Sequence, residues 1–126
     1  MPSDKKRPVN LNLISFRFPP MALVSISHRI SGFFLFLALP WVFYMFSQSV
    51  SSAAQFASLQ SCLMSPWAKV VNWLVLIAAL HHVVAGVRHL LMDIGWGESL
   101  KAARASAYVV LLVLVLIVLL TGVWIW

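Results

Sequence analysis

Charged residues are scarce in this sequence of 126 residues: only 10% are charged, and just three are Asp or Glu. Hydrophobic residues, by contrast, make up 62% of the chain. A soluble domain has about a quarter of its residues charged and about half apolar. The composition therefore excludes intrinsic disorder and argues against a water-soluble enzyme. It predicts a single domain embedded in a lipid bilayer.

Cysteine is nearly absent, since Cys62 is the only one. A lone thiol forms neither an internal disulfide nor a Cys-x-x-Cys motif, so no iron–sulfur cluster is expected on this chain. The net charge of +6 resembles that of a nucleic-acid-binding protein. Most of the cations, however, lie near the N-terminus and in one loop, as in the cytoplasmic parts of membrane proteins. No nucleic-acid partner is expected.

Three long apolar runs predict three transmembrane helices, because a helix needs about 20 apolar residues to cross a bilayer. They cover about residues 21–46, 66–92 and 105–126. The predicted fold class is all-α, with one membrane-anchor domain over residues 1–126 that starts with a polar segment, residues 1–20. Residues 47–65 form an uncharged connector rich in Ser, Ala and Gln. The first run is longer than a signal-peptide core, so we expect it to be retained.

The flanking cations predict the orientation. Those on one side of the runs are Lys5, Lys6, Arg7, Arg17, Lys101 and Arg104. The other side has only Lys69. Because cytoplasmic loops carry the excess of Lys and Arg, we expect a cytoplasmic N-terminus and a periplasmic C-terminus. The polar start does not resemble an Arg- and Ser-rich transit peptide, which favours a bacterial inner membrane over a mitochondrial one.

Two polar clusters interrupt the apolar runs. At 1.5 Å per residue, His28 and Arg29 lie about 12 Å from the inner end of the first helix, and His82 lies about 16 Å from that of the second. Ionisable groups inside a bilayer are costly and mark functional sites by default. Their similar depth predicts a shared polar site between the two helices.

Helical spacing groups these residues by face. Four residues of the second helix share one face, at i, i+4, i+7 and i+11: His82, Gly86, His89 and Asp93. His81 and Arg88 share a different face. In the first helix Ser25, Arg29 and Gly32 line one stripe. A glycine one turn from a histidine lets a planar ligand or a neighbouring backbone approach closely.

These residues leave alternatives open. His82 is either a haem ligand, held as in other helical bundles, or a histidine that bonds a backbone carbonyl. Arg29 either snorkels to the interface or binds an anion, such as a haem propionate or a quinone oxygen. Ser25 either donates to the same ligand or bonds its own helix.

Three sequence motifs resemble the signatures of the cytochrome b556 subunits of succinate dehydrogenase. They are Arg7-Pro8-Val9-Asn10-Leu11, Ser25-x-x-His28-Arg29-x-Ser31-Gly32 and His82-x-x-x-Gly86-Val87-Arg88-His89-Leu90-x-Met92-Asp93-x-Gly95. The resemblance implies that His82 is an axial ligand of one haem b, whose other ligand comes from a second anchor subunit. It also implies that Ser25 and Arg29 line the ubiquinone site, with His28 and Arg29 near the haem propionates. Three further motif residues are expected nearby without a defined role: Gly86, His89 and Asp93.

The implied function is that of a membrane anchor with no catalytic residue of its own. In the family a flavoprotein subunit oxidises succinate and an iron–sulfur subunit passes the electrons to ubiquinone, linking the tricarboxylic acid cycle to the respiratory chain. The alternatives are an anchor of another oxidoreductase such as fumarate reductase, a cytochrome that holds haem between its own His28 and His82, and an anchor without a cofactor. A small transporter is disfavoured because the only carboxylates, Asp4, Asp93 and Glu98, lie at or beyond the span ends.

Overall fold

The computed structural model describes residues 18–126 as a helical bundle. Its helices are α1 (Pro20–Ser51), α2 (Ala53–Leu63), α3 (Pro66–Asp93) and α4 (Leu100–Ile125). Within this part of the chain, α1, α3 and α4 are long and apolar enough to cross a membrane, so the three predicted spans and the all-α class are confirmed. The basic residues before Phe18 and the first of the three motifs lie outside the described residues.

The helix boundaries differ from the predicted ones in the uncharged connector and at the start of the third span. In the connector, residues 47–65, α1 continues to Ser51 and α2 follows it. Ser52 separates the two helices in an extended conformation, and its hydroxyl accepts a hydrogen bond from the Gln55 backbone N–H at 3.2 Å. The α2 sequence contains neither Gly nor Pro, so its Ala, Leu and Gln residues favour a helix even outside the apolar runs. Helix α4 begins at Leu100 because Ser99 caps its first turn.

Caps and glycines set the remaining helix ends. Ser65 caps α3 by accepting from the Ala68 N–H at 3.3 Å, and Pro66 occupies the first turn, where its missing N–H costs nothing. Gly95 and Gly97 connect α3 to α4 at φ values of 87° and 79°, a conformation that favours glycine. This short turn places the end of α3 beside the start of α4.

Helix α3 packs against both α1 and α4. The buried core consists of small side chains: Val24, Ala85, Ala107 and Val110. Small residues let transmembrane helices approach closely, while the large apolar side chains, such as Phe33 and Val123, point outward. An apolar exterior of this kind suits a protein whose surroundings are lipid.

Arg88 joins the C-terminal part of α3 to the N-terminal part of α4. Its side chain is only 7% exposed; Nε donates to Ser106 Oγ and Nη2 donates to the Ala103 carbonyl, both at 3.0 Å. His81, which shares a face of α3 with Arg88, is also buried, so this face points into the bundle. These contacts of Arg88 could not be predicted from the sequence, because one acceptor is a backbone carbonyl and every residue has one.

Candidate functional site

Two serines on α1 meet two adjacent histidines on α3. Ser27 Oγ lies 2.9 Å from His81 Nε2, and Ser31 Oγ lies 3.1 Å from His82 Nδ1. The serines are one helical turn apart, so they present both hydroxyls to the same neighbouring helix. These two hydrogen bonds join α1 to α3 at the level of the predicted site.

The two histidines have different surroundings. His81 is 4% exposed, its Nε2 contacts Ser27, and its Nδ1 has no hydrogen-bond partner. His82 is half-buried, and its Nδ1 lies close to both Ser31 Oγ and the His28 carbonyl oxygen, the latter at 3.2 Å. Within residues 18–126, His82 Nε2 makes no hydrogen bond. Of the two, His82 is the histidine with a nitrogen free on an accessible face.

His28 stacks on His82 and brings the motif of α1 against that of α3. The two ring centroids are 4.1 Å apart with 17° between the planes, and the ring centroid of His89 lies 5.2 Å from that of His28. Two imidazoles that share a haem iron point their nitrogens at it from opposite sides. Rings stacked face to face do not have this geometry, so the arrangement does not support a haem held between His28 and His82 alone.

Each histidine of the stacked pair lies against a glycine of the opposite helix. A Cβ atom added to Gly32 would lie 2.9 Å from His82 Cε1, and one added to Gly86 would lie 3.2 Å from His28 Nε2. The first distance is shorter than carbon atoms tolerate, so a side chain at position 32 would push the His82 ring. The glycines expected to make room for a ligand or a backbone thus make room for the imidazoles.

A polar cavity lies next to the histidine cluster, toward the N-terminal end of α1 and the C-terminal end of α3. Its volume is about 320 Å³, and it is lined by Ser25, His28, Arg29, His89 and Asp93. The structure thus brings three residues of the α1 motif together with His89 and Asp93 of the α3 motif, whereas His82 does not line this cavity. Arg29 and Asp93 are both exposed and form no ion pair with each other, so the Arg29 guanidinium is open to a ligand.

Sequence reasoning missed the two serines that position the histidines. Ser31 stood within the second motif but had no predicted role, and Ser27 was not singled out. Their spacing of four residues, matched by two adjacent histidines on the next helix, was the available signal. This signal is weak, because the hydroxyls of serines in membrane helices usually donate hydrogen bonds to carbonyls of their own helix. Ser27 and Ser31 do so as well, to the carbonyls of Val24 and His28.

The chain is similar over nearly its whole length to proteins of one family. Residues 3–121 match the family model described as the succinate dehydrogenase/fumarate reductase transmembrane subunit. A relative from Coxiella burnetii, named succinate dehydrogenase cytochrome b556 subunit, is 50% identical over 98% of this chain and 99% of its own length. Relatives of the same name from Paracoccus denitrificans and Rickettsia felis are 33% and 31% identical. These two alignments cover 89% and 94% of this chain, and 91% and 92% of the relatives.

Proposed function

The chain belongs to the family of succinate dehydrogenase/fumarate reductase transmembrane subunits, and we propose that it is the haem-binding cytochrome b anchor of a succinate dehydrogenase. As such it is a subunit of an enzyme complex rather than an enzyme by itself. Its partners are a second anchor subunit, the iron–sulfur subunit and the flavoprotein subunit. The names of its relatives favour succinate dehydrogenase over fumarate reductase.

The observation that carries the haem proposal is the hydrogen bonding of the two ring nitrogens of His82. An iron-ligating histidine offers one ring nitrogen to the metal and commonly donates the other ring N–H to a carbonyl or a similar acceptor. In His82, Nδ1 has two oxygen partners and Nε2 has none within residues 18–126. His28 stacks on one face of the His82 ring. It does not cover the edge of the ring, toward which the Nε2 lone pair points. The donor set therefore fits a haem b iron on His82, and a bound haem would supply one-electron redox chemistry.

The other axial ligand is proposed to come from the second anchor subunit. His28, the imidazole nearest to His82, lies parallel to it rather than opposite its Nε2. The face that bears His82 is half-buried, which leaves room for another helix. In this arrangement we expect His28 and Arg29 to lie near the propionates.

We propose that ubiquinone is reduced at the cavity lined by Ser25 and Arg29. Reduction places negative charge on a quinone oxygen, and a cation at low dielectric stabilises such charge strongly. Arg29 would supply that cation and Ser25 a neutral hydrogen bond, while His28, His89 and Asp93 complete the polar wall. Electrons would arrive from the iron–sulfur subunit, docked at the same membrane face.

The proposed location is a bacterial inner membrane, with the N-terminus in the cytoplasm and the C-terminus in the periplasm. The exposed Lys101 and Arg104 lie at the start of α4, at the end of the bundle that also holds the cavity. Positive charge at one end supports this orientation. It also puts the quinone site on the side where succinate is oxidised.

Purification of the tagged chain from its native membranes tests the proposal. We expect a flavoprotein, an iron–sulfur protein and a second small membrane protein to co-purify, together with a b-type haem spectrum and succinate:quinone reductase activity. The chain expressed without partners serves as the control and should lack the spectrum of a haem with two histidine ligands. A full spectrum from the isolated chain, or a native complex without haem, would contradict the proposal.

A Gly32→Ala variant is expected to disturb the haem without unfolding α1. Alanine favours a helix over glycine by up to about 1 kcal/mol, but the added methyl group would meet His82 Cε1 at 2.9 Å and force the ring to move. We expect a weaker or shifted haem absorbance at normal flavin content. Gly122→Ala is the matched control, because its methyl group makes only ordinary contacts with Trp73, at 3.6 Å and beyond. Identical spectra for both variants would show that Gly32 does not hold the ring.

A further inference from the structure

The hydrogen-bond partners of His82 determine which of its nitrogens carries the proton. Ser31 has a single hydroxyl proton and donates it to the His28 carbonyl at 2.7 Å. Its oxygen is then an acceptor for His82 Nδ1, 3.1 Å away, and the His28 carbonyl, 3.2 Å from Nδ1, also only accepts. Both neighbours of Nδ1 are therefore acceptors. Nδ1 must carry the proton, which leaves the lone pair on Nε2.

The neighbouring histidine is held in the opposite way by the equivalent serine. Ser27 donates its proton to the Val24 carbonyl at 3.0 Å, so its oxygen accepts from His81 Nε2 at 2.9 Å. His81 thus carries its proton on Nε2, and its lone pair lies on the buried Nδ1, which has no partner. Two serines one turn apart fix two adjacent histidines in opposite tautomers. Of the two tautomers, only the one of His82 has its lone pair on an accessible nitrogen, which is able to bind a metal.

We propose that Ser31 is a positioning residue that, together with the His28 carbonyl, holds His82 in the tautomer and ring orientation required for haem ligation. This inference rests on the proposed haem function. Ser31 is 7% exposed and touches the imidazole on the side away from Nε2, so it acts through His82 and not on the haem itself. A hydrogen bond to the distal nitrogen of a ligating histidine fixes the ring and raises its basicity, and its loss typically lowers metal affinity by roughly 10- to 100-fold.

The test compares Ser31→Ala with Ser27→Ala in the assembled complex. Both variants remove one hydroxyl from the same helix face and one contact with a histidine of α3. We expect Ser31→Ala to shift the haem midpoint potential and the low-spin ferric EPR signal and to speed haem loss roughly 10-fold relative to the unaltered complex. Ser27→Ala is expected to leave all three at their original values. Ser31→Cys, which is similar in size but a poor hydrogen-bond partner, should shift them in the same direction as Ser31→Ala.

Two outcomes would overturn the role of Ser31. One is an unchanged potential and EPR signal in both Ser31 variants; the other is an equal shift in Ser27→Ala, which would indicate a general effect of loosening α1 from α3. A His82→Ala variant separates these results from a failure of the haem proposal. If His82→Ala keeps its haem, the ligand assignment fails. If His82→Ala loses haem while the Ser31 variants behave as the unaltered protein, only the inference about Ser31 fails.

Discussion

A His82→Ala variant is expected to lose the b-type haem from the assembled complex, the largest spectroscopic effect among single substitutions in this chain. The change removes the only imidazole whose Nδ1 is anchored on α1 while its Nε2 is unpaired within residues 18–126. Removing a ligand should cost at least as much as removing the group that orients it, so we expect haem content to fall by more than about 10-fold. The measurement is the reduced-minus-oxidised absorbance, normalised to flavin.

His81→Ala is the matched control for this experiment. It removes an adjacent imidazole of the same helix, but one whose Nε2 is bound to Ser27 and whose ring is 4% exposed. We expect this variant to keep its haem and to lose only packing and one hydrogen bond between α1 and α3. Loss of haem in His81→Ala together with a normal spectrum in His82→Ala would show that the two histidines have been assigned the wrong way round.

The level along α1 and α3 at which His28 meets His82 could be predicted from the sequence. The rise per residue of a helix placed His28 and Arg29 at the level of His82, and the structure brings both motifs together around His28. Such an estimate needs only the ends of two apolar runs, so an error of a few residues at either end does not change its result. Extension of α1 to Ser51 at the opposite end therefore left it intact.

The rotation of each helix about its axis could not be predicted in the same way. Helix α1 is apolar on nearly every side, so the periodicity of its apolar residues does not show which side meets α3. The rotation depends instead on single contacts such as Ser31 with His82, and on acceptors without a sequence signature, such as the carbonyls of His28 and Ala103. Arg88 shows the same limit, because no pattern in the sequence indicates that its side chain contacts α4.

An Arg29→Leu variant is expected to lose quinone reduction while succinate oxidation by a soluble dye continues. Arg29 is exposed, lines the polar cavity and forms no ion pair with Asp93, so its charge is available to a ligand. Loss of a group that stabilises developing negative charge typically lowers turnover by about 10²- to 10³-fold, and we expect a fall of that size in succinate:quinone reductase activity. The dye assay should change little, because the dye takes its electrons before they reach the membrane.

Two companion variants separate the charge of Arg29 from its shape and from the general surface charge. Arg104→Leu removes an exposed arginine at the start of α4, outside the cavity, and should leave both activities unchanged. Arg29→Lys keeps the charge but loses the planar pair of donors, so its quinone activity should fall between those of Arg29→Leu and the unaltered protein. Equal loss of both activities in an Arg29→Leu complex of normal composition would place the defect before the point at which the dye takes its electrons, in the subunits that oxidise succinate. Such a result would exclude a local role for Arg29, since the neighbouring cavity cannot influence electrons that never reach it.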